Sequence, residues 1–375
     1  MAPEDHISLA WCSPGDIPQV QELIGRHWRP GHVMARDARL YAWQFRDPGR
    51  PQGLSALLAR RGGELVGHLG LIPGDFNLQG RRLPCRWTSL WFVTKQTQAT
   101  GAGVALLRKA QEECGGMLGC LGYNQQAQRV FGAMGFDMLP ALPRWLRLGR
   151  ASALQGLLAG SPQPYPPQVG QDLALAAGRA ALRPALGLEV RDWASLGPRP
   201  WREAWEQTLA PGGLGTWLDE DFIAWRYVRH PVFRYTVRLA LRPADGRVLG
   251  LMVYRVQEMA GRTEKILRLL ELACLEEAQD VLLQDLLARA GEMGAAFVDF
   301  HCASQDLTPA LERAGFLRED RLPAMLPSLF QPLDYRQEPL PAALWVPRDQ
   351  GLARGILDSP GLYLTRGQGD QDRPN

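Results

Sequence analysis

Two glycines in a short polar loop are the residues best placed to do chemistry. The segment Val93-Thr94-Lys95-Gln96-Thr97-Gln98-Ala99-Thr100-Gly101-Ala102-Gly103-Val104 joins a strand-like alternating run to an amphipathic, helix-like run. With no Cβ at Gly101 and Gly103, the backbone can approach a ligand closely, and the N–H groups of the first helical turn lack intrahelical acceptors. Such a helix start attracts anions, at roughly 0.3–1 kcal/mol per exposed charge. Several N–H groups acting together suit a diphosphate.

The elements that position this loop can be read on either side of it. Helices are predicted over Ile17 to His27 and around Ala38 to Phe45, and strands over Ser55 to Arg60 and Glu64 to Ile72, with a turn at Gly62-Gly63. A hairpin at Gln79-Gly80-Arg81 leads into a central strand, Arg86 to Val93. A helix (Val104 to Cys114), a strand (Met117 to Tyr123) and a helix (Gln125 to Met134) follow, and Phe136 to Leu148 reads as a closing pair of short strands. This order gives an α/β layer with a twisted mixed sheet flanked by helices.

The same order recurs. Ala42-Trp43 returns as Ala224-Trp225, Val66-Gly67 as Leu249-Gly250, Gly135-Phe136 as Gly315-Phe316 and Leu142-Pro143 as Leu322-Pro323. The offsets are 225 − 43 = 182, 250 − 67 = 183, 315 − 135 = 180 and 322 − 142 = 180. Four ordered pairs at near-constant offset mark a tandem duplication. The division that follows is a first domain at 1–150, a Pro/Ala/Gly-rich linker at 151–187 around Ser161 to Pro167, a second domain at 188–335 and a tail at 336–375. The linker flanks, Ala151 to Leu158 and Asp172 to Leu182, are Ala/Leu-rich enough for short helices, and the polar end, Gly367 to Asn375, reads as frayed.

Gln98-x-x-Gly101-x-Gly103, five residues beyond Val93, resembles the coenzyme A loop of the GCN5-related N-acetyltransferase (GNAT) superfamily. Tyr123-Asn124, Ala127 and Gly135-Phe136 resemble that family's second motif. The resemblance covers Leu9 to Leu148 and, more weakly, Glu189 to Phe330, and implies two tandem GNAT-type domains. It implies acetyl-CoA or another acyl-CoA as co-substrate, held by Phe92, Val93, Gln98, Ala99, Thr100, Gly101, Ala102, Gly103, Val104, Asn124 and Phe131. The matching loop of the second copy, Leu275-Glu276-Glu277-Ala278-Gln279-Asp280, has three acids and no glycine. A carboxylate about 5 Å from a phosphate costs roughly 3 kcal/mol at an effective dielectric of 20, so this copy is expected to repel the diphosphate.

Acyl transfer to an amine needs a neutral nucleophile, support for an oxyanion and a proton for the leaving thiolate. The family's acidic Tyr falls at Phe131, and its central-strand acid at Thr88 or Ser89, so the proton carriers are displaced. Ser89, Tyr123 and His68 are the catalytic candidates, with Cys120 and Asp75 behind them. Asp299 and His301 of the second copy are the substrate-binding candidates, and no metal is implied. Each of these residues also has a structural reading, as core tyrosine, rim histidine or turn cap.

Lys+Arg 42 against Asp+Glu 39 gives a net charge of +3, too balanced for binding nucleic acid through its phosphates. The first eleven residues lack a secretory pattern, no apolar run approaches a membrane span, and the six cysteines form no spaced framework. A cytoplasmic protein with reduced thiols is expected, a pseudo-dimer within one chain with monomer as the simplest state. The acceptor is expected to be a small-molecule amine. The Leu142-Pro143-Arg144-Trp145-Leu146 stretch is similar to tandem members linked to surface-polysaccharide assembly and implies an amino sugar. The competing readings are a relative of the aminoacyl-tRNA-dependent peptidyltransferases and a non-catalytic coenzyme A-binding scaffold.

Overall fold

The computed structural model describes residues 6–47, 49–50, 53–159, 180–184, 187–258, 262–322, 326–330, 333–334, 339–347 and 355–372. In the amino-terminal half the strands are β1 (Ile7–Trp11), β2 (Ala56–Arg61), β3 (Glu64–Leu78), β4 (Arg81–Val93), β5 (Met117–Leu121), β6 (Asp137–Leu139) and β7 (Arg144–Leu148). The rest of the chain adds β8 (Glu189–Asp192), β9 (Leu214–Thr216), β10 (Thr236–Arg242), β11 (Arg247–Glu258), β12 (Lys265–Cys274), β13 (Phe297–His301) and β14 (Leu317–Arg318). Short strands β15 (Leu329–Phe330), β16 (Leu333–Asp334), β17 (Ala342–Trp345) and β18 (Leu362–Tyr363) complete the set. The main helices are α1 (Ile17–Leu23), α2 (Ala38–Gln44), α3 (Ala102–Glu113), α4 (Gln125–Ala133), α5 (Ala151–Ala159), α6 (Glu276–Glu292) and α7 (Thr308–Arg313).

Two mixed sheets carry the fold. The first runs β1-β2-β3-β4-β5-β17-β6, with β9 and β18 attached beside β3, and the second runs β8-β10-β11-β12-β13-β7-β14. The main path of each begins with antiparallel neighbours and has one parallel step, β4 to β5 and β12 to β13. A parallel step needs a crossover, which α3 and α6 supply. In the first sheet α1 and α2 cover one face and α3 and α4 the other. The second sheet is covered likewise by the helices around Trp193–Tyr227 and by α6 and α7. The repeated tryptophans meet: Trp43 and Trp225 stack with centroids 5.2 Å apart, as counterpart residues do at a two-fold interface.

The closing strand pair of the first half differs from the expectation. β6 stays in the first sheet, whereas β7 crosses to lie between β13 and β14 of the second. β17, from the tail, fills the equivalent slot between β5 and β6. Each sheet is therefore completed by a strand from beyond the boundaries at 150 and 336. Interior slots of this kind must be filled, because unpaired buried N–H and C=O groups are costly. Local pattern cannot choose between two slots of the same shape.

The frayed tail is also corrected, since Leu364 to Arg366, Gln368 and Asp372 are buried in the cleft between the halves. Of the linker, Ala151–Ala159 is helical as anticipated, while the Ser161 to Pro167 run lies outside the described residues. All six cysteines are free thiols. Among the described residues no helix is long and apolar enough to cross a membrane.

Candidate functional site

The site is built where β4 and β5 part. They pair only over Cys85–Thr88 and Met117–Cys120, after which β4 continues to Val93 without β5, paired with β3. A register shift against β3 between His68 and Gly70 and a left-handed Leu90 (φ 49°) mark a bulge at the point of divergence. A branched residue at positive φ is strained, and the surroundings hold it there. Gly70 is required opposite, since a Cβ would lie 2.4 Å from the Phe45 ring.

His68 does the holding. Its Nδ1 lies 2.8 Å from the Leu90 carbonyl and its Nε2 2.8 Å from the Tyr41 hydroxyl. A carbonyl only accepts, so Nδ1 carries the hydrogen and Tyr41 donates to Nε2. Complete burial pushes the His68 pKa down to about 4, keeping the ring neutral. His68 is thus placed as a positioning residue for the bulge; with both nitrogens engaged inside the core, it does not reach the cleft as a base.

Beyond Val93 the chain makes a short 3₁₀ turn, Lys95–Thr100, tied by the Thr94 and Thr97 hydroxyls at 3.0 Å and by Thr100 Oγ1 donating to the Thr97 carbonyl at 2.7 Å. Gly101 then adopts φ 78° as the cap of α3, a conformation glycine takes without penalty. No atom lies within 4 Å of the position a Gly101 Cβ would take. Gln98, Ala99, Thr100 and Gly101 are exposed, Gly103 and Val104 half-buried and Ala102 buried, so the helix start faces solvent unplugged. Trp91 Nε1 donates to the Gly103 carbonyl at 3.0 Å and fastens the helix start to the end of β4. Phe92 and Val93 are half-buried along the same edge.

The other predicted residues are distributed unevenly. Asn124 caps α4, accepting from the Ala127 N–H at 2.9 Å. Phe131 is corrected to a core residue: it is fully buried among the Trp91, Tyr123 and Phe136 rings, with centroids 4.6–5.4 Å away, and presents no surface to a ligand. Tyr123 is half-buried, its pKa pushed up to about 12 by burial, and its hydroxyl donates to the Ala342 carbonyl of β17 at 3.2 Å. Ser89 is buried, and its hydroxyl donates to the Asp370 carboxylate.

Asp370 is the residue that sequence reasoning missed. The tail carries it across the cleft: Arg226 donates to the carbonyls of Gly367 at 3.2 Å and Gly369 at 2.6 Å, and Gln371 Nε2 donates to the Leu121 carbonyl at 2.8 Å. Asp372, next along, is held by Arg255 at 3.0 Å. No periodicity in Gly367 to Asn375 signals this, because the anchors are arginines distant in sequence. The carboxylate absent from the central strand arrives beside it from the other end of the chain.

In the second copy, Asp299 is fully enclosed by Arg144, Arg268 and Arg366 at 3.2–3.4 Å, which overcome the cost of its burial and hold its pKa down to about 2. It is an anchor between the halves rather than a substrate ligand. His301 is buried against Arg366 at 3.0 Å. The acids at the start of α6 are paired, Glu276 with Arg183, Glu277 with Arg242 and Asp280 with Arg313. The Arg183 backbone N–H also donates to Asp280 at 3.2 Å. These acids are paired rather than bare, with Glu276 and Glu277 exposed at the helix start.

Residues 17–136 match the family model described as Acetyltransferase (GNAT) family. The amino-terminal half therefore carries a domain that matches the GNAT family. A GCN5-related N-acetyltransferase from Anabaena variabilis superposes with a TM-score of 0.57 at 12% identity, covering 91% of this chain and 73% of that one. One from Kribbella flavida gives 0.55 at 13% identity, covering 92% and 71%. The N-myristoyltransferase of Saccharomyces cerevisiae, solved with myristoyl-CoA, gives 0.51 at 12% identity, covering 92% and 79%. At these identities the likeness is one of fold, and it extends over both halves of the chain. No curated protein matches it in sequence. Acyl transfer from an acyl-CoA is the activity of this superfamily.

Proposed function

We propose that the chain is an acyl-CoA-dependent N-acyltransferase that acylates a small amine, with one working site in the amino-terminal half. The observation that carries this is the open start of α3 beside the parting of β4 and β5. The loop leading to it, Lys95 to Thr100, bears no acid, and Gly101 leaves room for a bulky anion. The N–H groups of Gly101 to Val104 would hold the diphosphate, with Gln98 to Thr100 on its rim and Phe92 and Val93 along the pantetheine arm. Bound acyl-CoA supplies the activated acyl group.

The chain's own residues then divide the work. The bulge at Leu90, fixed by His68, directs backbone N–H groups toward the point where an oxyanion would develop. Asp370, bridged to the central strand through Ser89, takes the proton from the incoming amine on the acceptor side. Tyr123, kept protonated by burial, would supply a proton to the leaving sulfur once its hydroxyl turns from the Ala342 carbonyl. The Leu142–Leu146 stretch that pointed to an amino sugar is largely the exchanged strand β7, whose packing accounts for its residues, so the acceptor is proposed only as an amine. Release of free thiol from acetyl-CoA over a panel of amines and amino sugars tests the reading. A rate at background for every acceptor, with the cofactor bound, would leave only a binding protein.

A further inference from the structure

Arg226 fixes the tail backbone only as far as Gly369, whose carbonyl is the last it reaches. The chain turns there at φ 64°, a conformation glycine takes without penalty, and Asp370 follows half-exposed. Backbone anchoring alone does not orient a carboxylate. Its side-chain torsions stay free unless something bonds to the oxygens, and a base that swings away from the reacting atoms loses the benefit of proximity.

Both Asp370 oxygens are bonded. Ser89 donates to Oδ2 from β4, and Gln371 Nε2 donates to Oδ1 at 3.0 Å. The same Nε2 carries a second hydrogen, which goes to the Leu121 carbonyl at 2.8 Å, on the last residue of β5. The carboxylate is thereby tied to both strands of the parting, directly to β4 and through one amide to β5. An ionised carboxylate has about four lone-pair sites, so two remain to accept a proton.

Gly122, the residue after β5, leaves room for the bridge. It stands at φ 71°, and a Cβ there would lie 2.7 Å from Gln371 Nε2, so a side chain would press the amide away from both acceptors. A neutral amide also suits the position. A Lys or Arg in its place would pair with Asp370 as an ion and compete with the amine, whereas an amide orients the carboxylate and leaves its charge in place.

We propose that Gln371 is a positioning residue for acyl transfer, holding Asp370 Oδ1 against the end of β5 while Ser89 holds Oδ2. This role rests on Asp370 acting as the base.

Steady-state thiol release and side-chain amide NMR of the full chain test it. Gln371→Met, close to glutamine in length but without the donor, is expected to lower kcat about tenfold while the Michaelis constant for acetyl-CoA changes less than about twofold. Gly122→Ala, which displaces the amide and leaves Asp370, Ser89 and Gln371 unsubstituted, is expected to lower kcat likewise. The Gln371 Nε2 signal, assigned by its absence in Gln371→Met, should move as Asp370 takes up a proton on acidification and should stay still in Asp370→Asn. Full turnover in Gln371→Met beside lost turnover in Asp370→Asn would overturn the positioning role and leave the base in place. Full turnover in Asp370→Asn would remove the base and the role together. A Gln371 amide that ignores the titration, or a fall in kcat matched by an equal loss of acetyl-CoA affinity, would overturn the role and reduce Gln371 to a latch for the tail.

Discussion

The two copies share a strand order but treat the same position oppositely. Ser89 in β4 corresponds to Glu271 in β12, at an offset of 271 − 89 = 182 that equals the offset of the paired tryptophans. In the first copy the tail brings a half-exposed carboxylate, Asp370, to the serine hydroxyl. In the second, the strand itself bears the carboxylate, and Tyr227 at 2.7 Å, Tyr363 at 2.8 Å, Thr365 at 3.2 Å and Gln368 at 3.1 Å close around it. One segment of tail thus completes one site and fills the other. A duplicated fold needs its cleft only once; the second cleft is free to become a core that orients the first.

Exchanging the properties of the two sites tests this contrast. The largest effect is expected from Asp370→Asn, which keeps the bond to Ser89 but removes the base. Turnover should fall about 10²–10⁴-fold with acyl-CoA binding intact, read by stopped-flow thiol release and calorimetry. Unchanged turnover would return Asp370 to a structural role.

Next, Gly101→Glu sets an anion in the open cradle and should weaken acyl-CoA about 100-fold, consistent with roughly 3 kcal/mol for like charges about 5 Å apart. Glu277→Gly, in the acidic counterpart, should leave calorimetric affinity as it is. Equal affinities for wild type and Gly101→Glu would move the cofactor elsewhere.

A comparable free energy is expected in stability rather than binding from Glu271→Gln. Burial raises the Glu271 pKa to about 7 despite its hydroxyl donors. The folded state then holds a proton that the unfolded state has released between the ordinary carboxyl range and about 7, so stability falls as pH rises through that window. A shift from 4.5 to about 7 corresponds to roughly 3 kcal/mol. Urea denaturation near pH 5 and near pH 8 should show this loss in the wild type and its absence in the variant. An identical pH slope in both proteins would show that the caged acid does not titrate.

The smallest effect is expected from Tyr41→Phe, which removes the donor that fixes the His68 tautomer. About 1 kcal/mol of stability should be lost, with turnover reduced more than the Michaelis constant is changed. An unaltered turnover would mean that the Leu90 bulge does not depend on His68.

The sequence alone determined the duplication, the α/β class and the glycine loop, because each is written in local spacing: apolar alternation, helix starts and residues that only a particular backbone accepts. Gly101 was legible since positive φ and an open helix start leave a residue signature. Asp370, the neutral positioning role of His68, the burial of Phe131 and the exchange of β7 for β17 were not, because each depends on which distant surfaces meet. The same Asp in a polar tail is a solvated charge or a base according to whether Arg226 and Ser89 lie beneath it, and that is settled only when both sheets and the tail have packed together.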